Sequence, residues 1–285
     1  MAENPLKDLR LPHDVLAGLI FRNNRMIIPH GDDYLLPHDN TFFVGASGEI
    51  EKFSKHFVGT GIKAPERVMI IGAGRTGRTL AKMLDKQGVQ VKVIEKDAER
   101  SRMVAERIEE GIVVRGDGTD IDLLTQEGVG EADVVICLTA DDKLNLMLAL
   151  LAKHLGAART IVRVARIEYV DLMEKVGVDI VLSSRLLAAG EILAFARRGG
   201  VVSVALLEGA KAEAMEVIVQ KGSYVENKKL MDLQLPKECL ICAFVRDDEA
   251  FVPTGQSSLQ AGDRAILFIR MEFANKVMKY FAGKA

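Results

Sequence analysis

Between Arg67 and about Arg198 the hydrophobic positions alternate between two patterns. Runs of apolar, largely β-branched residues are followed by stretches whose apolar positions recur at helical spacing. The runs predict strands at 67–71, 90–94, 112–115, 133–137, 160–164 and 179–182, with helices near 75–87, 97–109, 120–127, 142–155, 168–176 and 185–197. This alternation is the pattern of an α/β fold with a doubly wound parallel sheet. Val134-Val135-Ile136-Cys137-Leu138 is apolar at every position, as a strand covered on both faces requires. The last helix leads into Gly199-Gly200, a helix stop that predicts a boundary. Beyond it the spacing changes to strands at 201–208, 214–220, 240–246 and 264–270 and a closing helix at 272–281, a small α+β module.

That module has a counterpart at the other end of the chain. Lys228-Lys229-Leu230-Met231-Asp232-Leu233-Gln234-Leu235-Pro236 aligns with Pro5-Leu6-Lys7-Asp8-Leu9-Arg10-Leu11-Pro12 at an offset of 224, Leu6 falling on Leu230. Without a gap, the same offset superposes Leu16 on Leu240, Arg22 on Arg246, Pro29 on Pro253, Gly31 on Gly255, Leu35 on Leu259 and Asp39 on Asp263. An ungapped match of this length is an internal repeat. The expected domains are a small module over 1–60, the doubly wound domain over 66–198 and a second small module over 200–285. The period holds one large domain and one module, so the chain reads as one complete unit, about 60 to 285, preceded by the tail of another. A longer parent with two full units is expected; two modules naturally flanking one domain is the alternative.

The first strand of the large domain carries its chemistry. Arg67-Val68-Met69-Ile70-Ile71 runs into Gly72-Ala73-Gly74-Arg75-Thr76-Gly77, and the next strand ends in Glu95. Gly72 allows the tight turn, Gly74 lets the backbone approach a pyrophosphate, and Gly77 lets the helix pack closely on the sheet. Free N–H groups and the positive end of the helix dipole favour phosphate there, and Arg75 adds a charge. Glu95 stands where an acid accepts hydrogen bonds from ribose hydroxyls, which disfavours a 2′-phosphate and with it NADP. An ordinary strand-to-helix turn would use the same glycines, but strand, helix and acid together favour dinucleotide binding.

Ligands of open α/β sheets bind outside the carboxyl ends of the strands, so the residues that follow each strand are the remaining candidates. Asp117, in Gly116-Asp117-Gly118-Thr119-Asp120, faces adenine or ribose, or else belongs to a turn whose Thr119 or Asp120 caps the next helix. Thr139 and Ala140 would lie against ribose and phosphates, with Asn145 one turn on; a cap by Asp141 is equally expected. Arg163 ends the fifth strand, where an arginine needs an anionic partner, either a phosphate or a carboxylate such as Glu168 or Glu191.

Composition narrows the picture by exclusion. Lysine and arginine number 38 against 40 acids, so no global field draws the chain to nucleic acid. Apolar stretches such as 144–152 fall short of the roughly 18–20 residues of a membrane span, and the N-terminus lacks a signal-peptide pattern, so a cytoplasmic protein is expected. Cys239 and Cys242 sit three apart in a strand, on opposite faces, and align with Val15 and Gly18, which argues for core packing over redox or zinc chemistry. The histidines at 13, 30, 38, 56 and 154 show no metal-ligand spacing. No catalytic residue and no metal site are expected.

The order of motifs, GAGRTG, Glu95, GDGTD, TADDKLN, the helix into Gly199-Gly200, LMDLQLP and AGDRAILF, resembles the RCK domains that regulate conductance of potassium, and within them the TrkA family of peripheral subunits of bacterial Trk potassium uptake systems. The resemblance implies a Rossmann-like RCK N domain flanked by two small RCK C-terminal domains. It implies NAD or NADH, or ATP and ADP as in related members, as ligand, held at Gly72 to Thr76, Glu95, Thr139, Ala140 and Arg163. It also implies self-association into dimers or a ring on the inner face of the cell membrane, beneath a membrane-embedded potassium transporter subunit of the TrkH or TrkG type that ligand exchange gates. The alternative is an NAD-dependent oxidoreductase. That reading needs a proton-handling group near the nicotinamide, yet no histidine follows a sheet strand, and Tyr224 with Lys228 lies outside the domain.

Overall fold

The computed structural model describes residues 4–9, 11–12, 14–23, 25–57, 64–197 and 200–283. Arg10, His13, the boundary near residue 60 and Gly199 lie outside the described residues. In chain order the elements are β1 (Val15–Arg22), β2 (Arg25–Ile27), β3 (Asn40–Gly45), α1 (Ser47–Phe57), β4 (Arg67–Ile71), α2 (Arg75–Asp85), β5 (Gln90–Glu95), α3 (Ala98–Ala105), β6 (Ile112–Arg115) and α4 (Ile121–Gln126). Then follow β7 (Val134–Cys137), α5 (Asp142–His154), β8 (Thr160–Val164), α6 (Val170–Val176), β9 (Ile180–Ser183) and α7 (Ser184–Ala196). The last are β10 (Val201–Leu207), β11 (Ala212–Ile218), β12 (Cys239–Arg246), β13 (Glu249–Phe251), β14 (Arg264–Arg270) and α8 (Ala274–Phe281). The chain forms two compact units, residues 63–185 and residues 1–62 with 186–285.

The 63–185 unit is a parallel sheet in the order β6-β5-β4-β7-β8-β9. The chain builds outward from β4 on one side and from β7 on the other, so the strand order reverses between these two. Alternate residues feed two cores, as strand geometry dictates. Met69, Ile71, Ile94 and Val162 pack with Leu124, Leu148 and Met173 on one face, and Val68, Ile70, Val91 and Val93 with Ala81 and Val104 on the other. Burial on both faces is why most positions of these strands are apolar. The helix expected over 97–109 stops at Ala105. Asp85 takes the amides of Glu109, Glu110 and Gly111 at 2.6, 3.2 and 2.8 Å, so those residues turn instead of extending the helix.

In the other unit an antiparallel sheet, order β10-β11-β14-β12-β13, and a smaller one, order β2-β1-β3, repeat one plan. The turn Leu6–Asp8, β1 and β2 recur at the same offset of 224 as the turn Leu230–Asp232, β12 and β13. Both copies break register at one position, around Gly18 between β1 and β3 and around Cys242 between β12 and β14. Both close on one ion pair. Arg22 Nε and Nη2 donate to Asp39 at 2.9 and 2.8 Å, and Arg246 Nε and Nη2 to Asp263 at 2.8 and 2.6 Å. Each carboxylate also accepts a backbone N–H, from Leu36 or Gln260. The two modules share a core in which Leu19 and Phe21 pack with Ala212, Cys242 and Phe268. The buried Glu213 of β11 holds Arg197, just past α7, through both guanidinium nitrogens, Nη1 at 2.5 Å and Nη2 at 3.2 Å. Hairpin strand β13, absent from the sequence expectation, follows Asp247 and Asp248, both at positive φ as a type I′ turn needs.

Candidate functional site

A cleft of about 960 Å³ opens at the carboxyl ends of the parallel strands, over the place where the strand order reverses. Its floor is the glycine turn. Gly72 has φ +105°, and a Cβ there would lie 3.0 Å from the backbone of Leu138 and Thr139, so a side chain would push β4 and β7 apart. Gly77 sits behind the cleft, where a Cβ would come within 2.1 Å of Gly72 O; it serves packing, not lining. Gly74 differs from both, since no atom lies within 4 Å of a Cβ built on it. Gly74 is also the N-cap of α2, and no side chain caps that helix, so the first N–H groups face the cleft unsatisfied by the side chains around them.

Gly72, Ala73, Gly74, Arg75, Thr76, Glu95, Asp117, Thr139, Ala140 and Arg163 all line this one cleft. Glu95 is 6% exposed, and both of its oxygens are engaged: Oε2 accepts Ala73 N–H at 2.6 Å and Oε1 accepts Asp97 N–H at 3.0 Å. The acid assigned to ribose thus also clamps the glycine turn. Asp117 Oδ1 accepts the Thr119 N–H at 3.0 Å and the Thr119 hydroxyl at 2.9 Å, and these bonds hold its carboxyl below the usual range. Asp120 caps α4 and Asp141 caps α5, so the turn-and-cap readings describe real bonds at residues beside the candidates.

The far side of the cleft is held together by a residue with 0% exposure, Asn145. Its Oδ1 accepts from Thr139 N and Oγ1 at 2.8 and 2.7 Å, and its Nδ2 donates to Thr139 O at 3.2 Å and Arg163 O at 3.0 Å. One amide therefore joins the ends of β7 and β8. Arg163 Nη2 donates to Thr139 O at 3.1 Å, while its Nε is buried without a partner among the described residues. Neither Glu168 nor Glu191 pairs with it among those residues. Arg78, Lys96, Arg100 and Met103 line the cleft without having been singled out from the sequence. Arg78 and Lys96 directly follow Gly77 and Glu95 in the chain, but only the fold shows which way their side chains turn.

The thiols are unsuited to nucleophilic work. Burial pushes Cys137 and Cys239 up to about 12 and raises Cys242 further, and Cys239 and Cys242 join different core clusters. Among the described residues no cluster of His, Cys, Asp or Glu is arranged to hold a metal ion, and no helix is long and apolar enough to cross a membrane.

The architecture is a Rossmann-like domain joined to small antiparallel α+β modules. Residues 68–184 match the TrkA-N domain and residues 214–282 the TrkA-C domain. The chain is 37% identical over 279 residues to the Trk system potassium uptake protein TrkA homolog 2 of Methanosarcina mazei, which covers 97% of this chain and 62% of that protein. The TrkA homolog of Archaeoglobus fulgidus is 36% identical, with 97% and 62% covered, and TrkA of Vibrio alginolyticus 34%, with 93% and 59% covered. The chain thus spans about three fifths of the length of these relatives. A solved structure of the GsuK channel bound to NAD is similar at a TM-score of 0.49 and 22% identity, over 94% of this chain and 47% of that one.

Proposed function

We propose that this chain is a nucleotide-binding regulatory component of a potassium uptake system, with NAD or NADH, or ADP or ATP, held in the cleft of the Rossmann-like unit. The observation that carries the reading is the uncapped start of α2 at Gly74, where the space that a side chain would fill is open in the cleft. Phosphates fit that space, held by backbone N–H groups of the turn together with Arg75 and Thr76. Glu95 and Asp117 have carboxylate lone pairs for ribose hydroxyls and an adenine amino group. Thr139, Ala140 and Arg163 supply the other half of a dinucleotide site. The names of the relatives carry the potassium link.

A regulatory role, with the nucleotide as signal, is favoured over an oxidoreductase by the chemistry of the lining. Among the described residues that line it there is no His, Tyr, Cys or Ser to move a proton beside a nicotinamide. Ligand exchange then acts by differential affinity: each tenfold preference for one arrangement is worth about 1.4 kcal/mol of shift toward it. The output goes to a membrane-embedded potassium transporter subunit, of the TrkH or TrkG type, from the cytoplasmic face of the membrane. Self-association into dimers or a ring is supported by apolar residues along the edge strand β9 and the preceding helix α6, Ile180, Leu182, Leu172 and Val176, all at least 40% exposed.

Calorimetry against NAD, NADH, ADP and ATP, with mass measurement in solution, tests this reading. Binding of at least one nucleotide without turnover is expected. Absence of binding to all four overturns it, and steady NADH consumption replaces it with the oxidoreductase.

A further inference from the structure

Arg78 is the fourth residue of α2, and its half-buried side chain lines the cleft. A guanidinium has five N–H donors and no acceptor, so it needs oxygens around it when removed from water. Arg78 meets one weak acceptor, the thioether of Met103 on α3. Its Nε is buried without a partner, and no carboxylate pairs with it among the described residues. Other half-buried cations of the same unit are matched: Lys92 with Glu127 at 2.9 Å and Lys153 with Asp179 at 2.7 Å.

Four of the acids that line the cleft are turned to other donors. Glu95 is bound to the amides of Ala73 and Asp97, Asp97 to that of Arg100, Asp117 to Thr119, and Asp141 to the first turn of α5. Each is tied through at least one oxygen to a backbone N–H group, and none of them pairs with Arg78 among the described residues. Arg163 repeats the situation from the other half of the sheet, with a buried Nε that nothing meets and a single bond to Thr139 O. Two arginines with unmet donors thus border the cleft, one from α2 beside α3 and one from β8.

We propose that Arg78 is a phosphate-binding residue of this cleft. Together with Arg163 it selects a nucleotide with two phosphates, a nucleoside diphosphate or a dinucleotide, over a nucleoside or a monophosphate. The inference rests on the reading of the cleft as a nucleotide site. A phosphate oxygen pair matches the parallel N–H groups of a guanidinium, and the two cations complement two phosphates, whereas a nucleoside leaves both unmet.

Calorimetry of wild type, Arg78→Ala and Arg78→Lys against adenosine, AMP, ADP and NAD tests it. Wild type is expected to bind ADP and NAD at least about tenfold more tightly than AMP. Arg78→Ala is expected to lose about tenfold to a hundredfold for ADP and NAD, in the range of a charged hydrogen bond, with adenosine affected less than about twofold. Arg78→Lys, which keeps the charge but not the fork, falls between. Because Arg78 has no strong partner in the ligand-free protein, Arg78→Ala should unfold no earlier than wild type without nucleotide. Unchanged ADP and NAD affinity in Arg78→Ala overturns the proposal, as does an equal loss for adenosine and ADP. Those outcomes leave the nucleotide reading standing; failure of wild type to bind any of the four removes both.

Discussion

Replacing Glu95 with alanine tests what this carboxylate does before any nucleotide arrives. Its Oε2 holds the Ala73 N–H at 2.6 Å, and Ala73 is 0% exposed, so that amide cannot turn to water when the acid is gone. The Asp97 N–H, bound at 3.0 Å by Oε1, belongs to an exposed residue and is readily rehydrated. A buried unsatisfied donor costs about 1–3 kcal/mol, and a hydrogen bond to a charged group contributes about 1.5–3 kcal/mol. These overlap because they describe one contact, so Glu95→Ala should destabilise the Rossmann-like unit by about 2–3 kcal/mol without ligand. Glutamine retains one amide oxygen for Ala73 and should cost about 1 kcal/mol. Urea unfolding of the ligand-free protein measures this as a lower midpoint at unchanged slope, by roughly 1 M for a slope of about 2 kcal/mol per molar. A variant within about 0.5 kcal/mol of wild type would refute the clamp and leave Glu95 as a ligand residue alone.

The two glycines flanking Arg75 and Thr76 should separate fold from ligand. Gly77→Ala drives a Cβ against Gly72 O and should lower the unfolding midpoint markedly, whereas Gly74→Ala meets no atom and should leave stability within about 0.5 kcal/mol while weakening nucleotide binding tenfold or more, read by thermal unfolding and calorimetry side by side. In the small modules, Asp263→Asn breaks the bidentate pair with Arg246 around a carboxylate only 3% exposed and should cost about 2–3 kcal/mol in urea unfolding. The same pairs predict acid sensitivity. Bonding from Arg22 holds Asp39 below the usual range; burial alone would raise Asp263, but the bond from Arg246, the Gln260 N–H and the arginine charge together bring it below. With folded values below the unfolded one of about 3.9, the stabilisation is complete above it and is lost as pH falls through the folded values. Circular dichroism from pH 6 downward should show stability falling below about pH 4, less steeply in Asp263→Asn; identical profiles would remove the pair from the acid response.

Much of this fold is written in local signals. Gly72 must be glycine because the chain turns there through φ +105°, and Asp120 and Asp141 announce helix starts because their side chains bond amides two or three residues ahead. Strand burial on two faces shows as unbroken apolar runs, and the repeat shows as matching residues at one offset. Gly77 was assigned to packing from its place in the motif, and 2.1 Å to Gly72 O is the distance that makes it so. The shortening of α3 was not legible, because the acid responsible, Asp85, lies more than twenty residues before the amides it takes.

The amino-acid sequence by itself therefore determined most strands and helices of the Rossmann-like unit, where the turns need glycine, and which strand ends are candidates for one cleft. Only the tertiary structure decided who is paired with whom. That Glu95 is bound to the turn, that Asn145 joins β7 to β8, and that Phe268 takes up the space a Cβ of Gly18 would need all depend on residues distant in the chain. The leftover guanidinium of Arg78 is the clearest case. Its chemistry is the same wherever it stands, but its buried Nε without a partner follows from where the fold places it, beside acids that are turned to backbone N–H groups, and that arrangement exists only once the chain has folded.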